Sequence, residues 1–364
     1  MNTFRKNRLI STAQRQGGLS LIELMVALVL GLFLMAGVIQ LFLGSKQTYR
    51  FHEALSRIQE NGRFAMEILS RDMRMTGYYG CIAKSIFNSP AAYHEPPCSD
   101  NGICNTLNNP SQYYWDFGTV IQGFEATSAT TWTPTLDASV VDPFPGTDVI
   151  TVRITENSVT VVDHPGGTPP GSAALKVPTN SGLNQCDILI VTNCEAAAIF
   201  QVTAATPGPN VALVHNTGAV PSCGGPGNVV QALGRDYTGG EVMRIATQTY
   251  YVRTGASGIP ALWRRSSSAN PQELLEGVQN MQILYGIGNN DQVIQYLTAD
   301  AVDWDNDRIL SVRINLLLVS TENNIVRTPM TVVFPADTGN LFTASDRRLY
   351  QAFSTTIAIR NRLP

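Results

Sequence analysis

The most constraining feature of this sequence is an uninterrupted apolar run near its amino terminus. From Leu24 to Leu43 there is no charged residue, and Gln40 is the one strongly polar side chain. As a helix, this run is long enough to cross about 30 Å of hydrocarbon. Residues 1–18 carry four basic and no acidic side chains, so the positive-inside rule assigns them to the cytoplasm. We therefore expect one membrane anchor followed by an exported body.

The composition of the remaining chain predicts a folded protein. Of 364 residues, 44% are hydrophobic and 15% are charged, which excludes wholesale disorder. Removing residues 1–18 would change the formal net charge from -3 to -7, which argues against direct binding of nucleic acid. Six cysteines without a C-x-x-C pair indicate disulfides formed in an oxidising compartment, and the periplasm fits the export signal.

The residues before the apolar run predict where the chain is cleaved. A secretory signal is cut after its apolar core, and Leu43 to Ser45 form a poor site for that cut. Gly17 and Gly18 instead lie before the core, and Glu23 follows five positions after Gly18. A carboxylate inside a membrane-spanning helix costs roughly 3 kcal/mol on insertion scales, and it usually indicates function. The alternative is that Glu23 is a charge tolerated near the membrane edge.

Residues 17–23 resemble the type IV prepilin cleavage motif. The resemblance implies cleavage after Gly18 by a membrane aspartyl peptidase, N-methylation of Leu19, and Glu23 as the fifth residue of the mature chain. The Glu23 carboxylate could then neutralise the new ammonium group of Leu19 in low-dielectric surroundings. Leu19 departs from the pattern, in which phenylalanine is usual.

The helix is expected to continue beyond the membrane. No proline occurs between Leu19 and Phe87, and Gly77 is the predicted stop. One face of this continuation repeats every three or four residues, as an amphipathic helix does: Phe51, Leu55, Ile58, Gly62, Ala65, Leu69. We expect that face to pack on a sheet. The predicted divisions are a leader (1–18), a transmembrane or filament-core helix (19–43), its amphipathic continuation (44–76) and a periplasmic head (77–364).

After Gly77 the helical period is replaced by short apolar or alternating runs bounded by turn residues, which predict strands. The predicted strands are 148–154, 187–192, 199–202, 211–215, 242–252, 278–285, 309–320, 331–334 and 355–360. Residues 82–147 are predicted to be an ordered, irregular, disulfide-tied excursion. The expected fold class is α+β, pilin-like, with a long N-terminal helix on a large, mainly antiparallel β head.

Residues 59–81, 276–286 and 357–362 resemble the minor pilins of the PilW family. The resemblance implies a subunit that helps initiate a type IV pilus and enters the pilus in a tip priming complex, supporting twitching, adhesion and DNA uptake. The implied partners are prepilin peptidase, other minor pilins, a tip protein, the major pilin and the inner-membrane assembly platform. The implied location is the inner membrane, single-pass with a periplasmic head, and the pilus after assembly.

Two other functions are compatible with the same features. A minor pseudopilin of type II secretion shares the leader, the helix and the β-rich head. A tip adhesin would instead use the head to bind a surface or glycan, and the aromatic residues 113–117 would be its expected site. Chain length and the match at residues 77–81 favour the pilus.

The cysteine spacing limits which disulfides can form. If residues 187–192 are extended, Cys186 and Cys194 stand more than about 20 Å apart, beyond the roughly 7 Å limit for a bridge. Cys98 and Cys104 flank a short turn and could pair. We then expect Cys194 to pair with Cys223 and Cys81 with Cys186, which is one of about fifteen connectivities that six cysteines allow.

No enzyme motif is recognised, and we expect neither catalysis nor a cofactor. The four histidines lack metal-binding spacing. Asp303, Asp305 and Asp307 have the spacing of a calcium loop, but Arg308 stands at the turn glycine and Ile314 at the closing glutamate. A solvated acidic loop is the preferred interpretation, with calcium as the weaker alternative.

Overall fold

A computed structural model describes residues 18, 20–82, 93–98, 101–166, 171–267, 269–289, 292–336, 338–359 and 361. The predicted leader through Gly17 and the predicted methylation site Leu19 lie outside these residues. The chain divides into two compact units, Met1–Glu53 and Ala54–Pro364.

One long helix, α1, covers Leu21–Met75. The predicted positions Ile58, Gly62, Ala65 and Leu69 are buried, at the expected spacing of three and four residues, whereas Phe51 and Leu55 are only partly buried. Ala54, Asp72 and Met73 are buried as well. The helix ends where the sequence predicts, because Gly77 adopts a φ of 68°, a left-handed conformation that glycine reaches without a steric penalty.

The head contains nineteen strands within the described residues. They are β1 (Tyr93–His94), β2 (Gly102–Asn105), β3 (Ile121–Ala126), β4 (Trp132–Thr133), β5 (Val149–Thr160), β6 (Ala174–Val177), β7 (Ile188–Thr192), β8 (Ala196–Gln201), β9 (Ala204–Thr206), β10 (Val211–Val214), β11 (Glu241–Thr254), β12 (Pro260–Ser266), β13 (Gln272–Glu276), β14 (Val278–Asn289), β15 (Gln292–Leu297), β16 (Ile309–Val319), β17 (Thr331–Val333), β18 (Leu341–Thr343) and β19 (Tyr350–Ala358).

Ten strands form the largest sheet, with β11 at its centre. The order is β1-β2-β8-β7-β11-β5-β3-β4, and β12 and β13 extend it from the second half of β11. Residues 241–244 of β11 pair with β7, and residues 248–254 pair with β12. The pairing is antiparallel except at β1–β2 and β2–β8.

Three smaller sheets cover the large one or extend the head. A three-stranded sheet, β6-β10-β9, packs its apolar residues with those of β5, β7, β8 and β11 in one core cluster. A four-stranded sheet, β15-β14-β16-β19, shares a second cluster with the two-stranded sheet β17-β18. The predicted α+β class with a mainly antiparallel head is confirmed.

Each predicted strand corresponds to an observed one, but the prediction of an irregular segment over 82–147 is partly wrong. Strands β2 and β3 lie in that segment and both join the ten-stranded sheet. The β2 strand pairs in parallel with β8, more than ninety residues later, a contact that local pattern does not reveal. The predicted last strand, 355–360, begins earlier, at Tyr350.

Candidate assembly helix and its attachment to the head

Helix α1 begins with reciprocal hydrogen bonds between Ser20 and Glu23. The Ser20 N–H donates to Oε2 of Glu23 (3.0 Å), and the Glu23 N–H donates to Oγ of Ser20 (3.3 Å). The Ser20 hydroxyl also donates to the same carboxylate oxygen (3.1 Å). This arrangement is a capping box, which satisfies donors that every helix leaves unpaired at its start. Ser20 therefore marks the helix boundary, and the predicted cleavage residue Gly18 lies before it, exposed.

The capping role of Ser20 was not among the predictions from sequence, which paired Glu23 with a terminal ammonium group at Leu19. The S-x-x-E spacing of Ser20 and Glu23, directly before an apolar run, is the signal that could have shown the cap. Local hydrogen bonds thus hold the Glu23 carboxylate beside the first turn of the helix.

The first half of α1 is apolar around its whole circumference and exposed within its own unit. Every residue from Ser20 to Lys46 is exposed, including Leu21 (78%), Phe33 (74%) and Leu41 (77%). The helix is long and apolar enough to cross a membrane. A helix that is apolar on all sides requires an apolar environment, supplied by lipid or by other helices.

In the second unit, α1 keeps an exposed face opposite its buried one. Phe64 is 48% exposed and Met75 is 36% exposed, and Ile68 lies between them on the same side. The charged side chains of Glu67 and Arg71 border this stripe and line a shallow groove with it. Such a face, apolar in the middle and charged at the rim, is suited to contact another protein surface.

Gly62 allows α1 to approach the four-stranded sheet closely. A Cβ atom at Gly62 would lie 2.5 Å from the nearest ring atom of Phe353 on β19, so a side chain at this position would displace the ring. Next to it, the Asn61 amide donates to the Glu276 carbonyl oxygen (3.4 Å). The glycine therefore matters for packing rather than for turn formation.

About three helix turns later, a buried carboxylate attaches α1 to β11. Asp72 is 4% exposed, and its Oδ2 accepts a short hydrogen bond from the hydroxyl of Tyr250. Burial raises the pKa of Tyr250, and the neighbouring Asp72 charge raises it further. Arg71 neutralises the other oxygen of Asp72 (Nε to Oδ1, 3.1 Å). Because a buried charge needs such partners, this contact fixes the rotation of the helix on the sheet.

The end of α1 is held by backbone contacts to the head. The Gly77 N–H donates to the Arg153 carbonyl oxygen (2.9 Å). The Asn361 amide donates to the carbonyl oxygens of Arg74 (3.4 Å) and Thr76 (3.0 Å), which the helix itself leaves unpaired. Residues from the last turn of α1 and from the end of the chain thus meet at one place.

Three disulfides are present: Cys81–Cys194, Cys98–Cys104 and Cys186–Cys223. The Cys98–Cys104 pair is the expected one, and Cys186 and Cys194 are not joined to each other, also as expected. The expected pairs Cys194–Cys223 and Cys81–Cys186 are wrong.

The two ends of β7 explain the correct pairing. Thr192 at the Cys194 end packs against Gly80, with 2.5 Å between the Thr192 methyl group and a Cβ atom built on that glycine, so Cys81 reaches Cys194. At the other end, the Cys186 N–H donates to the carbonyl oxygen of Val202 (2.9 Å). The side chain of Gln201 there accepts the Gly227 N–H (2.8 Å), which brings the loop of Cys223 to Cys186.

The acidic residues 303, 305 and 307 form a self-contained turn. Asp303 accepts hydrogen bonds from the Asp305 N–H (3.2 Å) and from the Asn306 amide (2.9 Å), and the Asp307 carboxylate accepts the Asp303 N–H (2.9 Å). The Asn306 contact lowers the pKa of Asp303. Within the part of the chain that the structure describes, no group of three or more His, Cys, Asp or Glu side chains could hold a metal ion.

Two protein families match parts of this chain. The prokaryotic N-terminal methylation motif matches residues 13–39, and Type IV Pilus-assembly protein W (PilW) matches residues 249–361. The second match begins on β11 and includes the four-stranded sheet that packs on Gly62. No curated protein sequence matches the chain.

A solved structure of a type IV-like pilin from Thermus thermophilus is similar to part of the chain. It has 15% sequence identity, covers 33% of this chain and 67% of the other, and gives a TM-score of 0.21. No functional conclusion rests on this similarity.

The matches confirm the family resemblance that the residues indicate, and they point to a structural rather than a catalytic protein. The apolar helix and the methylation motif support membrane anchoring and incorporation into a pilus. The chain is thus similar to type IV pilus proteins in two places, at the N-terminal methylation motif matched by residues 13–39 and at the PilW match over residues 249–361.

Proposed function

We propose that this chain is a minor pilin that helps initiate type IV pilus assembly and then stays in the filament, in the priming complex at its tip. Prepilin peptidase cleaves it after Gly18, and the new amino terminus at Leu19 is methylated. The match of the N-terminal methylation motif to residues 13–39 is the observation that carries this function. The PilW match favours a pilus over a type II secretion system.

The first half of α1 supports incorporation into a filament. Its apolar surface has lipid as its environment before assembly, and packing with the helices of other subunits would replace lipid afterwards. The stripe of exposed Phe64 and Met75 with half-buried Ile68 between them would continue such contacts outside the membrane. The partners are other minor pilins, a tip protein and the major pilin, with the inner-membrane platform driving assembly and the head in the periplasm.

Glu23 is the residue proposed to guide docking. Cleavage creates an ammonium group at Leu19, four residues before a carboxylate that the Ser20 cap holds beside the first turn. In the low dielectric of lipid or of packed helices, an unpaired charge costs several kcal/mol, and a neighbouring opposite charge offsets part of that cost. The pair would make transfer from lipid into the filament favourable.

The processing step is tested by mass spectrometry of the protein extracted from membranes. We expect an amino terminus at Leu19 with one added methyl group. A mature amino terminus near Ser45 would show an ordinary secretory signal and would contradict the proposal.

The assembly role is tested by deleting the chain. Surface pili and twitching should fall while the amount of major pilin in the inner membrane stays unchanged, because initiation rather than supply is lost. Normal piliation combined with a secretion defect would favour the pseudopilin function instead.

The docking role is tested with Glu23→Ala, which keeps the cleavage glycines and the apolar length. We expect cleaved protein in the membrane fraction and little in sheared pili. Glu156→Ala, at an exposed carboxylate on β5, is the matched control and should enter pili normally. Wild-type levels of cleaved Glu23→Ala in pili would show that Glu23 is only a tolerated charge.

A further inference from the structure

A buried carboxylate, Asp148, joins the ten-stranded sheet to the four-stranded sheet. Asp148 is 2% exposed and directly precedes β5. Its Oδ1 accepts the Ala126 N–H at the end of β3 (3.1 Å), and its Oδ2 accepts the Ile283 N–H of β14 (2.8 Å). The Asp148 N–H in turn donates to the Met281 carbonyl oxygen (2.9 Å). One side chain thus holds strands from both sheets.

A second carboxyl group, Glu125 on β3, lies on the same face of the sheet as Asp148. The antiparallel register that pairs Phe124 with Val149 puts the next two residues, Glu125 and Asp148, opposite each other. Its Oε2 is buried and has no hydrogen-bond partner among the described residues. None of the ion pairs between described residues includes Glu125 or Asp148. The charged groups that act on Asp148 are Glu125 and Asp300, both acidic. Burial raises the pKa of both carboxyl groups, and the Glu125 charge raises that of Asp148 further.

Tyr285 closes the same junction from the side of β14. Its ring is fully buried, its hydroxyl has no hydrogen-bond partner among the described residues, and a methyl group at Gly123 of β3 would collide with that hydroxyl. Burial raises the pKa of Tyr285, and the charges of Asp148 and Glu125 raise it further. Trp304 packs edge-on against the Tyr285 ring, with centroids 5.0 Å apart. Asp148 and the Oε2 atom of Glu125 are shielded from water, so a negative charge on each would lack compensation there.

We propose that Glu125 and Asp148 share one proton, and that this proton stabilises the junction of the two sheets so that the head loosens as its surroundings become more alkaline. Two carboxylates in a desolvated site without a cation cannot both ionise at little cost, whereas one proton between them removes the repulsion. The unpartnered Oε2 of Glu125 is the atom that can carry it. The two backbone N–H groups stabilise the remaining negative charge on Asp148. The proton belongs to the pair rather than to either residue.

The expected direction follows from comparing the folded and unfolded chains. In the unfolded chain both carboxyl groups have ordinary pKa values of about 4. In the folded chain both pKa values are raised. Between those values the folded protein holds one more proton than the unfolded protein, so stability falls as the pH rises. Across that window the equilibrium constant for unfolding should rise about tenfold per pH unit, and it should level off above the raised values.

The test is urea unfolding of the full chain in detergent, from about pH 4 to about pH 9, for wild type and Glu125→Gln. Glutamine has the shape of the protonated acid and does not titrate. We expect the unfolding constant of Glu125→Gln to rise less with pH than that of wild type, because Asp148 then titrates without the neighbouring charge, so that the ratio of the two constants changes by up to about tenfold per pH unit in the window. Glu156→Gln, at the exposed carboxylate on β5, is the control and should follow wild type. His164 and His215, also buried, remain in every variant, so their contribution cancels in the ratio.

Two outcomes would overturn the proposal. A pH dependence of Glu125→Gln equal to that of wild type would show that no proton is shared. Stabilisation of wild type, but not of Glu125→Gln, by added calcium or magnesium at neutral pH would show that a cation neutralises the pair. If Glu125→Gln does not fold, infrared spectroscopy of wild type decides: a protonated carboxyl stretch must persist at neutral pH, and its absence refutes the shared proton.

Discussion

Replacing Gly62 with alanine adds one methyl group and has two opposing effects on stability. A Cβ atom there would lie 2.5, 2.6 and 2.7 Å from three ring atoms of Phe353. Overpacking of this kind costs about 1–3 kcal/mol. Alanine in place of glycine in a helix interior stabilises by about 1 kcal/mol. We therefore expect Gly62→Ala to lower the free energy of unfolding by up to about 2 kcal/mol.

The ring is tested as the cause by combining Gly62→Ala with Phe353→Leu, which removes the atoms that obstruct the methyl group. In that background the helix propensity remains and the clash is relieved, so Gly62→Ala should stabilise by up to about 1 kcal/mol. The coupling energy from the four proteins should be about 1–3 kcal/mol. The measurement is urea unfolding of the full chain in detergent, followed by tryptophan fluorescence. If Gly62→Ala stabilises both backgrounds equally, Phe353 does not limit the approach of the helix.

Three further predictions follow from the described contacts. The Cys81–Cys194 bond joins residues 113 apart, so in the chain-entropy model replacing both cysteines with serine should lower the free energy of unfolding by about 4–5 kcal/mol. This is roughly twice the loss expected for the Cys98–Cys104 bond, whose residues are 6 apart. Equal losses in urea unfolding would contradict that model. Burial lowers the pKa of His215 to about 4, so stability should fall as the pH drops from about 6.5 to about 4, by about 1.4 kcal/mol per unit. The variant His215→Phe should reduce that fall, and an unchanged pH profile would count against it. Ser20→Ala should weaken the helix cap by about 1 kcal/mol and so speed hydrogen exchange of the Glu23 amide about fivefold. Ser20→Thr keeps the hydroxyl and should leave the exchange rate unchanged. Equal exchange in both variants would mean that the cap does not hold Glu23.

Most of the fold class could be predicted from local pattern. The helix from Leu21 to Met75 and its stop at Gly77 follow from hydrophobic period, absence of proline and the conformational freedom of glycine. The longer strands are apolar or alternating runs bounded by turn residues and were equally recognisable. Strands such as β2 and β12 were not, because their pairing depends on residues distant in sequence or on a neighbouring strand.

The sequence by itself determined the parts of this protein whose physics is local: the apolar segment suited to a membrane, the N-terminal methylation motif, the buried helix face and the β-rich head. Only the tertiary structure decided which cysteines meet, because both ends of β7 carry one and the partners arrive from loops far along the chain. It also decided that Asp148 is buried between two sheets and that Asp72 faces Tyr250. Burial and charge depend on what surrounds a side chain, and those surroundings are assembled from strands that no sequence window contains together.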